Sequence, residues 1–296
     1  MNTAFIFPAF IADYTEKEVD FLVRNGIDIN VYIKNVSGVL ELDLPLFSYN
    51  SIEYKQDELL SQIIAYLFAC AISDALRSQS IKPDFVSGYS MGIYAALYAA
   101  KSVTIEDGAN LIVNAFKIVE EVTKTGEYGM AAVIGLSVDD IVQLISANKL
   151  DAEIININNK HSIVIAGVKK HIKLFLILAQ KEGAMSVSEL TVNTPYHSKY
   201  LMNYSKKFEN FVQSVDINKA EIPIISTYNQ RLCISSEDIK LDLVHNLTEK
   251  IHWHKTMQKL IELDASCFYE CGAGKDLTKI ARFIDGDYKI KSIYKL

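Results

Sequence analysis

A serine stands between two glycines in the stretch Gly88-Tyr89-Ser90-Met91-Gly92, with the apolar run Ile93-Tyr94-Ala95-Ala96-Leu97 directly behind it. Gly-x-Ser-x-Gly between a strand and a helix is the pattern of a nucleophile elbow, a sharp turn that holds the hydroxyl clear of the backbone. A serine hydroxyl is a weak nucleophile at its own pKa and needs a neighbouring base. The chain offers six histidines. His161 and His171 fall in a hairpin and on a helix and read as surface residues. His252 and His254 flank Trp253, and two residues apart on a helix they point to different faces, which argues against a shared metal. His197 stands in Asn193-Thr194-Pro195-Tyr196-His197-Ser198, where the chain returns from one lobe to another. Pro195 stiffens that approach, and Ser198 is placed to cap the next helix. The residues alone leave His197 two roles: a base facing Ser90, or a packing and capping residue. No metal site is expected.

The elements that must position these residues follow from periodicity. Ala4-Phe5-Ile6-Phe7-Pro8 reads as a short buried strand, residues 56–78 as a long apolar helix, and Phe85-Val86-Ser87-Gly88 as the strand that ends at the elbow. The run from Ile105 to Val122 reads as a helix opened by Glu106 and Asp107, acidic residues that suit a helix N-terminus. From Met130 the rhythm changes to strand, helix, strand, strand, helix, strand, the ferredoxin-like order. After Thr194 helices and apolar strands alternate again. The pattern predicts a discontinuous α/β domain, residues 1–126 and 195–296, interrupted by a ferredoxin-like subdomain at 127–194. A cleft between two such lobes is a natural place for a site.

Composition narrows the function classes. The chain has 296 residues, half of them hydrophobic and 22% charged, enough for a sizeable core. A net charge of -6 argues against nucleic acid as a partner. Cys70, Cys233, Cys267 and Cys271 lack metal-type pairing and are expected to be reduced and mostly buried. No basic region precedes the apolar start, so no signal peptide is indicated. The longest apolar run, Ile63 to Ile72, is too short to span a bilayer. A cytoplasmic monomer without membrane association is expected.

Taken together, Gly88-Tyr89-Ser90-Met91-Gly92, Tyr196-His197-Ser198 and the loop Cys271-Gly272-Ala273-Gly274-Lys275 resemble, in order and spacing, the malonyl-CoA:acyl-carrier-protein transacylase family. The small-lobe runs Gly129 to Leu136, Ala152 to Asn159 and Ser162 to Gly167 extend the resemblance over nearly the whole chain. It implies an α/β-hydrolase-like large domain carrying the ferredoxin-like one. Ser90 is then the acyl-accepting nucleophile, and His197 its general base and later the acid for the departing thiol. The family orients that histidine with a backbone carbonyl, which falls here on Asn246. The oxyanion hole is implied at the N–H of Met91 and at an N-terminal loop residue, here Phe10, and oriented N–H groups there stabilise the developing oxyanion. Tyr89, Ala115 and Phe116 are implied as the substrate pocket. No cofactor is implied; the substrates are thioesters of coenzyme A or of acyl carrier protein, the expected partner.

Two departures carry expectations. Phe10 stands where the family has glutamine; a backbone N–H survives, but a phenyl ring makes the acyl pocket drier. Ala115 stands where malonyl-type members carry an arginine that holds the malonyl carboxylate bidentately. A carboxylate buried without a partner is strongly disfavoured, so an uncharged acyl group is expected, in polyketide or fatty-acid synthesis. The alternative on the same scaffold is an acyl hydrolase that clears acyl groups from carrier proteins. A non-catalytic relative is disfavoured because Ser90, His197 and both elbow glycines are present. Carrier proteins are acidic, so Lys169, Lys170 and Lys173, or Lys206 and Lys207, are either a docking face or simply solvated helix faces.

Overall fold

The first strand, Asn2–Phe7 (β1), is wholly inaccessible from Ala4 to Phe7, as expected of a strand covered on both faces of a parallel sheet. The computed structural model describes residues 2–9, 14–48, 53–192 and 194–296. The remaining described strands are Phe85–Gly88 (β2), Tyr128–Ile134 (β3), Ala152–Asn159 (β4), Ser162–Val168 (β5), Ser186–Glu189 (β6), Ile224–Ile225 (β7), Leu232–Cys233 (β8), Ala265–Glu270 (β9) and Lys289–Ser292 (β10).

Two sheets result. The larger has the order β10-β9-β1-β2-β7-β8, parallel except for its last pair. In it β1 lies beside β2 with Phe7 opposite Gly88, so the chain just after Phe7 runs beside the elbow. The smaller sheet, β4-β5-β3-β6, is antiparallel throughout. Its elements run β-α-β-β-α-β, with helices Val138–Ala147 and Lys169–Lys181 closing a separate core around Ile141, Ile165, Ile172 and Phe175. Ser137 and Asp140 form a capping box that starts the first of these helices. The small sheet is tied by main chain to the segment before Trp253: Ile157 donates to Ile251 and Ile251 donates to Ile155, both at 2.8 Å.

Helix Glu58–Ser78 fills the large core, started by Asp57, whose side chain accepts from the Leu60 N–H. The apolar run Ile63 to Ile72, too short to span a bilayer as a stretch of sequence, belongs to this 21-residue helix. The helix is long and apolar enough to cross a membrane by length and composition, yet 78% of its most apolar window is buried inside the fold. Two helices that periodicity did not single out, Glu16–Arg24 and Ile29–Leu40, are separated at Asn25-Gly26, where Gly26 turns with φ +73°. Within the apolar run Ile222 to Thr227 the strand is confined to Ile224–Ile225; Pro223, with no N–H to give, acts as an acceptor for Val86. Cys70, Cys233 and Cys271 are buried free thiols and Cys267 is half-buried.

Candidate active site

The elbow is built by β2 and the helix Gly92–Ala99 that follows it after three residues. Tyr89 donates its N–H to Phe7 at 2.8 Å, Gly92 to Tyr89 at 2.9 Å and Ile93 to Ser90 at 3.1 Å, closing the turn. Ser90 is held at φ +54°, a left-handed conformation that a non-glycine residue adopts only when its surroundings impose it. Both glycines are steric necessities. A Cβ on Gly88 would lie 2.1 Å from the Ile93 nitrogen, and one on Gly92 would lie 2.2 Å from the Phe7 carbonyl oxygen.

His197 also sits in the left-handed region, at φ +58°, and its N–H is anchored to the Leu247 carbonyl at 3.1 Å. Its Nε2 lies 2.6 Å from Oγ of Ser90 and its Nδ1 lies 2.6 Å from the backbone carbonyl of Asn246. A carbonyl only accepts, so Nδ1 carries the proton and Nε2 is left to accept from the serine hydroxyl. The Asn246 side chain donates to the Ser90 carbonyl at 3.3 Å and accepts from Thr227 at 3.5 Å, tying the end of helix Ser236–Thr248 to the elbow. Burial lowers the His197 pKa to about 4, although the Asn246 carbonyl pulls it the other way. The imidazole is therefore neutral at pH 7, as a general base must be. Ser198, expected to cap the following helix, does not: its hydroxyl donates to the Pro195 carbonyl at 2.5 Å instead. His171, expected at the surface, is half-buried and accepts the Asp151 N–H at 2.8 Å.

Met91 is the N-cap of helix Gly92–Ala99, so its N–H stands at the positive end of a helix beside Ser90. Phe10, the other expected oxyanion residue, lies outside the described residues. A small cavity opens behind Met91, lined by Pro8, Gln62, Ala95 and Ile112 among others, with no cationic side chain among the described residues of its wall. Of the three expected pocket residues, none lines this cavity. Ala115 is 2% exposed in the core, one helical turn beyond Ile112; Phe116 is half-buried. Tyr89 instead faces the small sheet, where its hydroxyl accepts from Asn156 at 2.6 Å and donates to Asn158 at 2.8 Å, with its ring edge-on to Trp253. Periodicity gave no hint of Asn156 and Asn158, nor of Glu58 and Gln62, polar residues inside otherwise apolar elements. Lys206 and Lys207 are paired with Glu209 and Glu121, whereas Lys170 and Lys173 are exposed.

The sequence and the fold are similar to those of known enzymes. A malonyl CoA-acyl carrier protein transacylase of Staphylococcus aureus (strain COL) is 28% identical over 299 residues, covering 100% of this chain and 96% of that protein. An acyl-carrier-protein S-malonyltransferase from Burkholderia pseudomallei superposes with a TM-score of 0.90 at 24% identity, over 100% of this chain and 97% of the other. A malonyl-transacylase solved in complex with its type II polyketide acyl-carrier protein gives 0.89 at 20% identity, over 99% and 96%. The acyl transferase domain family matches residues 59–273, a span that holds Ser90, His197 and Asn246 together. The chain belongs to the acyl transferase domain family.

Proposed function

We propose that the protein transfers an acyl group between the thiols of coenzyme A and acyl carrier protein through an ester on Ser90. The observation that carries this reading is the chain of contacts Ser90 Oγ, His197 Nε2, His197 Nδ1 and Asn246 carbonyl, each 2.6 Å link joining a donor to an acceptor. In acylation Oγ attacks the thioester carbon while its proton passes to Nε2; the C–S bond then breaks and the thiolate leaves with that proton. The second thiol reverses these steps. Charge on the carbonyl oxygen is met by the Met91 N–H. The fold is read as an α/β-hydrolase-like lobe, residues 1–126 and 195–296, with a ferredoxin-like lobe at 127–194 inserted.

The acyl group is proposed to be uncharged, in a polyketide or related pathway. The relatives named above are malonyl enzymes, but Ala115 supplies no cation for a malonyl carboxylate, and the cavity behind Met91 has none among the described residues of its wall. Intact-protein mass spectrometry with a panel of acyl-CoAs tests this. A mass increase on the wild type that is absent in Ser90→Ala and discharged by holo carrier protein is the expected result. An adduct at normal yield in Ser90→Ala refutes the nucleophile; discharge to water as fast as to the carrier makes the protein a hydrolase.

A further inference from the structure

Three polar side chains meet beside the cavity behind Met91. Glu58 opens helix Glu58–Ser78, and Gln62 follows one turn later on the same face. Gln62 is 1% exposed and uses both amide hydrogens, donating to Glu58 Oε1 at 3.2 Å and to the Tyr196 hydroxyl at 3.0 Å. The Tyr196 hydroxyl in turn donates to the same Glu58 oxygen at 3.2 Å. A carboxylate accepts only, which fixes the amide with its nitrogen towards Glu58. The Gln62 carbonyl oxygen is left buried and without a partner among the described residues.

Gln62 belongs to the wall of the cavity behind Met91, shared with Gly92, Ala95 and Ile112. Tyr196 is the residue before His197, so the polar cluster is fastened directly to the proposed base. A buried acceptor without a donor is costly, because it gives up water and gains nothing. Met91 directly follows Ser90, so an acyl group on Ser90 with its carbonyl oxygen at the Met91 N–H would have this cavity beside it. Local polarity is also the reverse of what a dicarboxylic acyl group requires: an acceptor in the wall and a carboxylate one turn away. Free space in the cavity is about 10 Å³, near the size of one water molecule, which points to a short chain.

We infer that the acyl pocket selects a short acyl chain carrying a hydrogen-bond donor, a hydroxyacyl group, with the Gln62 carbonyl as acceptor and Glu58 and Tyr196 holding that amide in place. This deepens the acyl-Ser90 reading and rests on it.

Two isosteric thioester pairs test it, glycolyl-CoA against propionyl-CoA and 3-hydroxypropionyl-CoA against butyryl-CoA. In each pair a hydroxyl replaces a methyl. Mass-resolved time courses of Ser90 acylation are expected to show the hydroxyacyl member of at least one pair loading about tenfold faster, since its apolar twin leaves the carbonyl unpartnered. Gln62→Met removes both amide atoms at similar length and is expected to bring the ratio to about one. Tyr196→Phe frees the amide to turn and is expected to cut the ratio by about threefold, which keeps the test available if Gln62→Met does not fold. Equal or slower loading of the hydroxyacyl member in both pairs, or a ratio unchanged in the variants, overturns the inference and leaves the acyl-serine reading standing. No adduct from any of the four thioesters overturns that reading and the inference with it.

Discussion

The backbone carbonyl of Asn246 accepts the Nδ1–H of His197 at 2.6 Å, so the imidazole is oriented by a neutral group rather than a carboxylate. Orientation and tautomer are therefore independent of the side chain at position 246. What the side chain adds is the 3.3 Å bond to the Ser90 carbonyl, which steadies the elbow. Asn246→Ala is expected to lower the acylation rate by less than about tenfold, the worth of one neutral hydrogen bond. His197→Ala is expected to lower it by about 10² to 10⁴, the usual contribution of a positioned base. Single-turnover acylation by a fixed acyl-CoA separates the two; equal losses would mean that the Asn246 side chain, not its carbonyl, holds the histidine.

The pH profile follows from burial of that imidazole. With its pKa lowered to about 4, His197 stays neutral and basic well below the usual histidine range. Acylation is expected to be flat from pH 8 to about 5 and to fall only as pH approaches 4. A descending limb centred near 6.5 would show that the imidazole is solvated in the working enzyme.

Stability answers to pH with two opposing signs. The unfolded chain protonates His197 near the ordinary histidine value of about 6.5, so stability is lost as pH falls from there to about 4, by roughly 3 kcal/mol. Burial raises Asp242, one turn before Asn246, to about 6 from 3.8, so its contribution is gained as pH falls through the same window, again roughly 3 kcal/mol. The two nearly cancel. Asp242→Asn removes the gain, and denaturant midpoints at pH 7 and pH 4 are expected to diverge by about 3 kcal/mol more in this variant than in the wild type. A matching pH response in both proteins would mean that Asp242 is ionised in the fold.

The chain of Ser90, His197 and Asn246 was legible because each part leaves a local trace: two glycines around a serine, a histidine after a proline, and a position fixed by the order of family motifs. The steric reason for Gly92, contact with the Phe7 carbonyl, spans eighty-odd residues of sequence and could not be read from either segment alone. Strand order had the same limit. Short apolar runs announce buried strands, but β1 lying between β2 and β9 is set by how the layers close. Gln62 and Glu58 escaped because they lie on a helix whose apolar content marks it as core, and a polar residue in such a helix looks like a break in pattern until its partner Tyr196, more than a hundred residues on, is in view. The family resemblance implies Tyr89 in the pocket, and a motif position says nothing of its long-range contacts: its hydroxyl meets Asn156 and Asn158, more than sixty residues on.

Gly92→Ala tests the elbow directly. The added methyl would sit 2.2 Å from the Phe7 oxygen and 2.8 Å from that of Pro8, both backbone atoms that cannot turn aside. Displacing β1 from the elbow is expected to cost about 2 to 4 kcal/mol of stability, as overpacking in a dense core does at the upper end. Thermal unfolding reads the cost. Any protein that does fold should acylate slowly, because the same shift moves the Met91 N–H. A variant with wild-type melting and wild-type acylation would show that the turn relaxes freely.

The arginine position gives the sharpest test of substrate charge. Ala115 and Ile112 lie one turn apart on helix Ile105–Thr123, and Ile112 lines the cavity behind Met91. A long side chain placed at 115 can therefore extend along the wall towards the acyl group, whereas alanine leaves it apolar. Removing one partner from a buried guanidinium–carboxylate contact costs about 2 to 4 kcal/mol, a factor of about 30 to 1,000 in rate. Wild-type protein is accordingly expected to load acetyl or another uncharged acyl group on Ser90 faster than malonyl at equal thioester concentration. Ala115→Arg is expected to shift the ratio towards malonyl by at least tenfold, less than the full factor because Glu58 and Gln62 offer acceptors rather than donors to a second carboxylate. Pairing Ala115→Arg with Glu58→Gln should move the ratio further in the same direction, since one opposing charge is gone. Intact-mass kinetics with malonyl-CoA and acetyl-CoA side by side read all three proteins. Malonyl loading faster than acetyl in the unmodified enzyme would place a cation elsewhere in the pocket and overturn the argument from Ala115.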